Sequence, residues 1–572
     1  MTTLIQCLRL THAAGTKPLF AELDLTINAG DRIGLVGHNG SGKSTLLSLL
    51  SGAAEPDTGE VTHSKQLRLE NVEQFIDDSL LDFSLAEALA AKLPKEERAF
   101  GDYKVEQLLH QLGFTTGEFE FRVGDLSGGQ QNRLMFARAV VNGPNLILFD
   151  EPTNHLDLKT LLYFESFLQS MEAAYLLISH DRQFLDAVTN RTLFLRDGRI
   201  YSFDLPYTEA RSRLEDQDEA AAARRRTEEK NIQRLKVSAK RLATWGKVYD
   251  NEDLARKAKT MEKRIEKLEA SKTFVTRGSG LSLSLEVEQS RANRMLAIEN
   301  QSILAPGGKR VLFHAEDFFM RPGDRVALLG HNGVGKTTMI KSIMAQYDTG
   351  SAGPVKLNPQ CRIGYYDQEL QNLAPDATLL ETLRIHCNAT EHEYKGALIK
   401  AGFPYKDHDK RVGVLSGGER ARLMFLVIRL NKPNFLILDE PTNHIDIQGK
   451  EELEAQILDA DATVLITSHD RRFVDTIAER FMLISDGRLV EINDPEEFYQ
   501  AANDAGPTHA TSDSDMAHAA NDPAVGSDEI LERLVALERL LEEDLARKPK
   551  FQKPGLQAEW RAEIAELTRK LD

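Results

Sequence analysis

The tightest constraint on this chain is a phosphate-binding signature that occurs twice. Gly37 to Ser44 reads GHNGSGKS, and Gly330 to Thr337 reads GHNGVGKT, 293 residues later. Both fit Gly, four residues, then Gly-Lys-Ser/Thr. Ile33, Gly34, Leu35 and Val36 predict a short buried strand before the first loop, and the apolar run from Thr45 predicts a helix after it. Glycines let such a loop curl until its N–H groups converge on an anion, and the following helix adds the positive end of its dipole. The candidate phosphate contacts are Gly37, His38, Asn39, Gly40, Ser41, Gly42, Lys43, Ser44 and Thr45, then Gly330, His331, Asn332, Gly333, Val334, Gly335, Lys336, Thr337 and Thr338. A chance Gly-rich turn explains one copy and not two.

Further motifs recur in the same order. LSGGQ at Leu126 returns as LSGGE at Leu415, and SHD at Ser179 returns at Ser468, both offset by 289. Leu146 to Phe149 predicts a buried strand ending in Asp150-Glu151, and Leu436 to Leu438 predicts one ending in Asp439-Glu440. Carboxylates at a strand's C-terminal end stand where α/β sheets bind ligands. The first suits a Mg²⁺ shell, shared with the Ser44 or Thr337 hydroxyl, and the second can polarise a water. His180 and His469 follow apolar strands and read as γ-phosphate sensors. Gln74 and Gln368 fall between loop and LSGG in both copies and read as metal and water contacts. Ser127, Gly128 and Gly129, like Ser416, Gly417 and Gly418, open helices whose N–H groups form another anion site. One small unit cannot use both anion sites on one nucleotide, so each LSGG is expected to serve the nucleotide of the other unit.

At 572 residues, the chain is too long for one core. The fold expected is α/β, with cassettes over 1–206 and 286–500 flanking a charged helical linker over 207–285. A net charge of −17 argues against a protein that is basic throughout. The three cysteines, Cys7, Cys361 and Cys387, have no metal-ligand spacing and suit a reducing, cytoplasmic setting. The start lacks a signal-peptide pattern, and no run of about 18 apolar residues predicts a membrane span.

This motif set resembles the ATP-binding-cassette ATPases, and the tandem arrangement with paired LSGG and DEPTNH[LI]D stretches resembles the ABC-F family. The resemblance covers about residues 1–500. It implies ATP and Mg²⁺ as cofactors and head-to-tail cassettes within a monomer, closed by ATP and opened by hydrolysis. Site one would use Lys43, Ser44, Gln74, Asp150, Glu151 and His180 with Ser416 and Gly418. Site two would use Lys336, Thr337, Gln368, Asp439, Glu440 and His469 with Ser127 and Gly129. Two features depart from the common pattern. THAAGTKP and ILAPGGKR, ahead of the loops, hold no aromatic residue to stack on a base. The interval from loop to LSGG is 90 residues in the first cassette against 86 in the second, so an inserted arm is absent or very small.

Between Arg211 and Lys272 lie 18 Lys or Arg against 12 Asp or Glu, a basic segment in an acidic chain. It predicts two helices, about 207–243 and 252–272, turning near Trp245-Gly246-Lys247 and Asp250-Asn251. Both a strip that tracks phosphates and a solvated coiled-coil spacer fit this composition. The resemblance implies that it enters the ribosome and meets rRNA and peptidyl-tRNA, with Trp245 or Tyr249 available to stack on a base. Residues 501–527 predict a flexible linker. Ile530, Leu534, Leu537, Leu541 and Leu545, then Trp560, Ile564, Leu567 and Leu571, predict a coiled-coil hairpin over 528–572 whose partner is unknown. Two other functions stay open: the ATPase subunit of a membrane transporter, and a repair ATPase binding DNA structures.

Overall fold

The computed structural model describes residues 2–504 except 16, 73–75, 95–101, 127, 154–155, 249–251, 271–292, 306–307, 309, 351–352, 369, 371, 444 and 461. Gln74, Ser127, Tyr249, Asp250, Asn251, the end of the linker and the expected 528–572 hairpin lie outside these residues. The stretch expected to be flexible from 501 instead continues a helix, Glu496–Asp504.

The first cassette carries β1 (Thr3–Ala14), β2 (Lys17–Asn28), β3 (Arg32–Val36), β4 (Thr58–His63) and β5 (Leu69–Val72). Then come β6 (Leu146–Asp150), β7 (Ala174–Ile178), β8 (Arg191–Arg196) and β9 (Arg199–Phe203). The main sheet runs β5-β6-β7-β3-β8-β9, parallel except for the β8–β9 hairpin, and β2-β1-β4 form a smaller antiparallel sheet. Strands β3, β6 and β7 are nearly unbroken apolar runs because helices cover both sheet faces. The β8–β9 turn places Asp197 and Gly198 at φ 51° and 72°, the positive values that a tight hairpin needs.

The second cassette repeats the plan with β10 (Leu296–Leu304), β11 (Val311–Met320), β12 (Arg325–Leu329), β13 (Val355–Leu357) and β14 (Ile363–Tyr366). It ends with β15 (Phe435–Asp439), β16 (Thr463–Thr467), β17 (Arg480–Ser485) and β18 (Arg488–Ile492). Its order, β13-β10-β11-β18-β17-β12-β16-β15-β14, joins the two sheets into one. The seam is a bond from His314 N–H to the Gly487 carbonyl, 2.8 Å, matched in the first cassette by Ala21 N–H to Gly198, 3.2 Å.

The linker forms two helices, Tyr207–Val248 and Glu252–Ala270. Ile232, Ala239 and Ile265 are buried between them, flanked by Leu235, Met261 and Leu268. The first helix continues through Trp245, Gly246 and Lys247 instead of turning there. One glycine costs a helix about 1 kcal/mol, and the strong helix formers around it outweigh that. The Arg241 guanidinium covers the Trp245 ring at 4.2 Å, so this indole already has a cationic partner.

The first-cassette core rests on aromatic packing. Phe164 is fully buried, stacks on Phe136 at 3.8 Å and meets Phe149 edge-on at 5.6 Å. Phe164→Ala should cost about 3–5 kcal/mol. The check is a lower denaturant midpoint for the first-cassette transition, with Phe164→Leu falling in between.

Candidate functional site

Each glycine loop leaves the C-terminal end of a central parallel strand, β3 or β12, and runs into a helix, Lys43–Ser51 or Lys336–Thr349. Gly42 and Gly335 cap these helices at φ 99° and 113°, where a side chain would be strained. A Cβ at Gly42 would also come within 2.9 Å of the Phe20 ring. Lys43 Nζ donates to the Gly37 carbonyl at 2.8 Å, and Lys336 Nζ donates to Gly330 at 2.7 Å. Burial pushes both lysines below the ordinary range, while the neighbouring carboxylates pull them back.

Asp150 and Asp439 end β6 and β15, and burial raises both carboxyls. Glu151 and Glu440 follow at φ 49° and 50°, left-handed values that non-glycine residues rarely adopt. This turn swings each glutamate off its strand toward its histidine. His180 Nε2 lies 3.3 Å from Glu151 Oε1, and His469 Nε2 lies 3.5 Å from Glu440 Oε1. The His469 backbone N–H donates to Glu440 at 3.2 Å, and its ring meets Asn332 Oδ1 at 2.9 Å. Thr467 Oγ donates to Asp439 Oδ1 at 2.6 Å, while Asp439 Oδ2 is buried with no hydrogen-bond partner among the described residues. A buried carboxylate oxygen of this kind beside Thr337 fits a hard divalent cation.

A family model described as "ABC transporter" matches residues 20–154 and 313–443. The chain is 30% identical over 524 residues to "ABC transporter F family member 5" of Arabidopsis thaliana, covering 83% of this chain and 74% of that protein. It is 29% identical to "Putative ATP-binding protein YdiF" of Bacillus subtilis (strain 168), covering 87% and 82%. This chain belongs to the ABC-F family. It is a tandem ABC ATPase, and its two cassettes are nucleotide-binding domains. In fold it resembles a crystal structure of archaeal ribosomal stalk protein aP1 with archaeal ribosome recycling factor aABCE1, with a TM-score of 0.58 at 17% identity, covering 86% of this chain and 92% of that one. A model of ribosome-bound archaeal Pelota and ABCE1 gives a TM-score of 0.57 at 19% identity, covering 86% and 80%.

The ABC-F cassettes face each other across a cavity of about 690 Å³. From the second cassette it is lined by Asn332, Gly333, Gly335, Lys336, Thr337, Thr338, Gln368, Asp439, Glu440 and His469. The first contributes Asn39, Glu151, Thr153, His180 and Asp181. Ala305 and Leu312 stand beside the second loop, so the lining there is aliphatic. Among the described residues, the lining does not include Gly128, Ser416, Gly417 or Gly418, and a Cβ at Gly128 would meet nothing within 4 Å. Ser416 instead caps its own helix and shares a capping box with Glu419, at 3.3 and 2.9 Å.

What crosses between the cassettes is the stretch just after the paired carboxylates. Asp446 Oδ2 accepts the Asn39 N–H at 3.0 Å, reaching the opposite loop. Its counterpart Asp157 lies close enough to Lys336 to offset part of the lowering that burial imposes on that lysine. Arg182 binds Glu454 through two contacts, one at 3.0 Å, and Arg471 pairs with Glu165. All four partners are buried. Asp157, Asp446, Glu165, Glu454, Arg182 and Arg471 were not among the site residues expected from the sequence, although their shared offset of 289 is a signal for them.

Glu151→Gln/Glu440→Gln should lower ATP turnover by at least about 10²-fold, the scale of general-base catalysis, with ATP binding kept. A steady-state phosphate-release assay beside nucleotide titration checks this. Burial holds His180 and His469 below the ordinary 6.5, so both are neutral at pH 7. Above that value, folded and unfolded chains are both neutral there. Below it the unfolded chain takes up protons first, so stability falls as pH falls. The melting-temperature loss between pH 7 and pH 6 should therefore shrink in His180→Asn/His469→Asn.

Proposed function

We propose that this ABC-F ATPase works in the cytoplasm on the ribosome, where closure of its cassettes drives the linker hairpin toward peptidyl-tRNA. The observation that carries this reading is the linker. Its first helix has 42 residues, a rod of about 60 Å at 1.5 Å per residue. Arg224, Arg226, Arg234, Lys236, Lys240, Arg256, Lys257, Lys259, Lys263 and Arg264 are exposed along the hairpin. A basic, solvent-facing strip on an acidic protein gains affinity for nucleic acid by releasing counterions. The fold likeness to aABCE1, described as a ribosome recycling factor, supports the same target.

The root of the hairpin supports a mechanical link. Arg196 of the first cassette holds Asp218 through two bonds, 2.5 and 2.6 Å. Arg211 and the Tyr207 hydroxyl reach Glu451 of the second cassette at 3.1 and 3.3 Å. A change in the angle between the cassettes would therefore be passed to a long lever.

In this reading each loop takes the phosphates of one ATP, with Lys43 or Lys336 on the β- and γ-phosphates. Ser44 with Asp150, and Thr337 with Asp439 and Gln368, would hold Mg²⁺, which neutralises charge developing on the phosphates. Glu151 and Glu440 orient and polarise the attacking water, and His180 and His469 donate to the γ-phosphate. Gly128 with Gly129, and Ser416 with Gly417 and Gly418, close over the ATP of the opposite cassette when the clamp shuts.

The test is cosedimentation of the Glu151→Gln/Glu440→Gln variant with ribosomes in ATP. Stable binding that halts translation is expected, and Arg224→Ala/Arg226→Ala/Lys236→Ala should flatten its salt dependence by up to about three in log–log slope. A variant found on membranes or branched DNA and absent from ribosomes overturns the reading in favour of transport or repair. Among the described residues, no helix is long and apolar enough to cross a membrane.

A further inference from the structure

The two cassettes meet through residues that match at an offset of 289: Asp157 with Asp446, Glu165 with Glu454, His180 with His469, Arg182 with Arg471. One buried position at the contact between the cassettes breaks this pattern. Leu161 in the first cassette corresponds to Lys450 in the second. Both are nearly sealed from solvent, at 3% and 5% exposure.

Lys450 sits on the helix Ile447–Asp459 of the second cassette. Its ammonium donates to the His180 backbone carbonyl, across the interface, at 2.9 Å. It also donates to Asp470 Oδ2 at 2.8 Å, while Asp470 Oδ1 caps the helix Arg471–Ile477. A buried ammonium costs several kcal/mol in lost hydration unless its geometry returns that energy. Here it does so by tying the histidine loop of one cassette to the frame of the other. Leu161 offers no donor to the corresponding loop of site two. That loop is organised within its own cassette: His469 N–H binds Glu440, and Glu440 N–H donates to Thr467 Oγ at 3.1 Å. Ile178 stands where Thr467 does.

We propose that Lys450 is a positioning residue for site one, acting in trans. It fixes the His180 backbone, and so the imidazole that stands 3.3 Å from Glu151. Hydrolysis at site one then depends on cassette contact, and hydrolysis at site two depends on it less. The proposal rests on the assignment of Glu151 and His180 to site one.

The test follows single-turnover hydrolysis of ATP in two backgrounds, with Glu440→Gln leaving site one and Glu151→Gln leaving site two. Lys450→Met should lower the site-one rate about tenfold, the scale of a small misplacement of a catalytic group, with ATP affinity within about twofold. The site-two loss should be at least five times smaller by the same measure. Lys450→Arg, which keeps the cation, should restore most of the site-one rate. Equal loss in both backgrounds, or no loss at site one, overturns the proposal. A melting curve identifies any variant that fails to fold, and Lys450→Gln then takes the place of Lys450→Met. If Glu151→Gln does not slow hydrolysis in the Glu440→Gln background, the assignment of Glu151 fails instead, whatever Lys450 does.

Discussion

The pairing of the cassettes depends on buried ions that neither cassette can satisfy alone. Arg182 and Arg471 sit in the interface beside their own histidine loops, and their carboxylates, Glu454 and Glu165, come from the opposite cassette. An intact buried pair adds little net stability, yet removing one partner costs about 3–5 kcal/mol, because a charge is left without water. These ion pairs thus specify the partner more than they glue the halves together. The same feature sets its geometry. The histidine loops, the stretches after the paired carboxylates and the helices that carry the glutamates must all meet at one place.

Within that frame each ATP site stores local strain. Glu151 and Glu440 both take left-handed backbone angles, which cost a non-glycine residue about 1–3 kcal/mol. Their backbone N–H groups are nevertheless satisfied, bonding the Ile178 and Thr467 carbonyls at 3.1 and 3.0 Å. The sheet therefore holds the strained turn in place, with each carboxylate beside its histidine.

The repeat is less symmetric than its motifs suggest. Lys450 faces Leu161 in the alignment, Thr467 faces Ile178, and the linker root touches the second cassette through Glu451. Gly37 and His38 of the first loop, Tyr207 and Arg211 of the linker root and Asp446 and Glu451 of the second cassette line one pocket. The first nucleotide loop, the lever and the opposite cassette therefore share one neighbourhood. A duplicated fold has taken on different couplings at its two ends through a few buried substitutions.

Much of this was legible from sequence because the motifs are local. A glycine loop, the apolar strand before it and the helix after it are neighbours along the chain, so their physics shows in a dozen residues. Strands β3, β6 and β15 fall where the apolar runs put them, and helices open at Gly128 and Gly417, at the two LSGG stretches. The linker was read as two helices turning between Trp245 and Asn251; the first runs on past Gly246 to Val248 and the second begins at Glu252, because one glycine marks a break only when packing allows it. Tertiary structure alone decided which carboxylate meets which arginine, where Lys450 points and that Arg241 covers Trp245. Contacts such as Arg182 with Glu454 join residues 272 apart, a separation at which no periodic pattern survives, so only the folded chain reveals them.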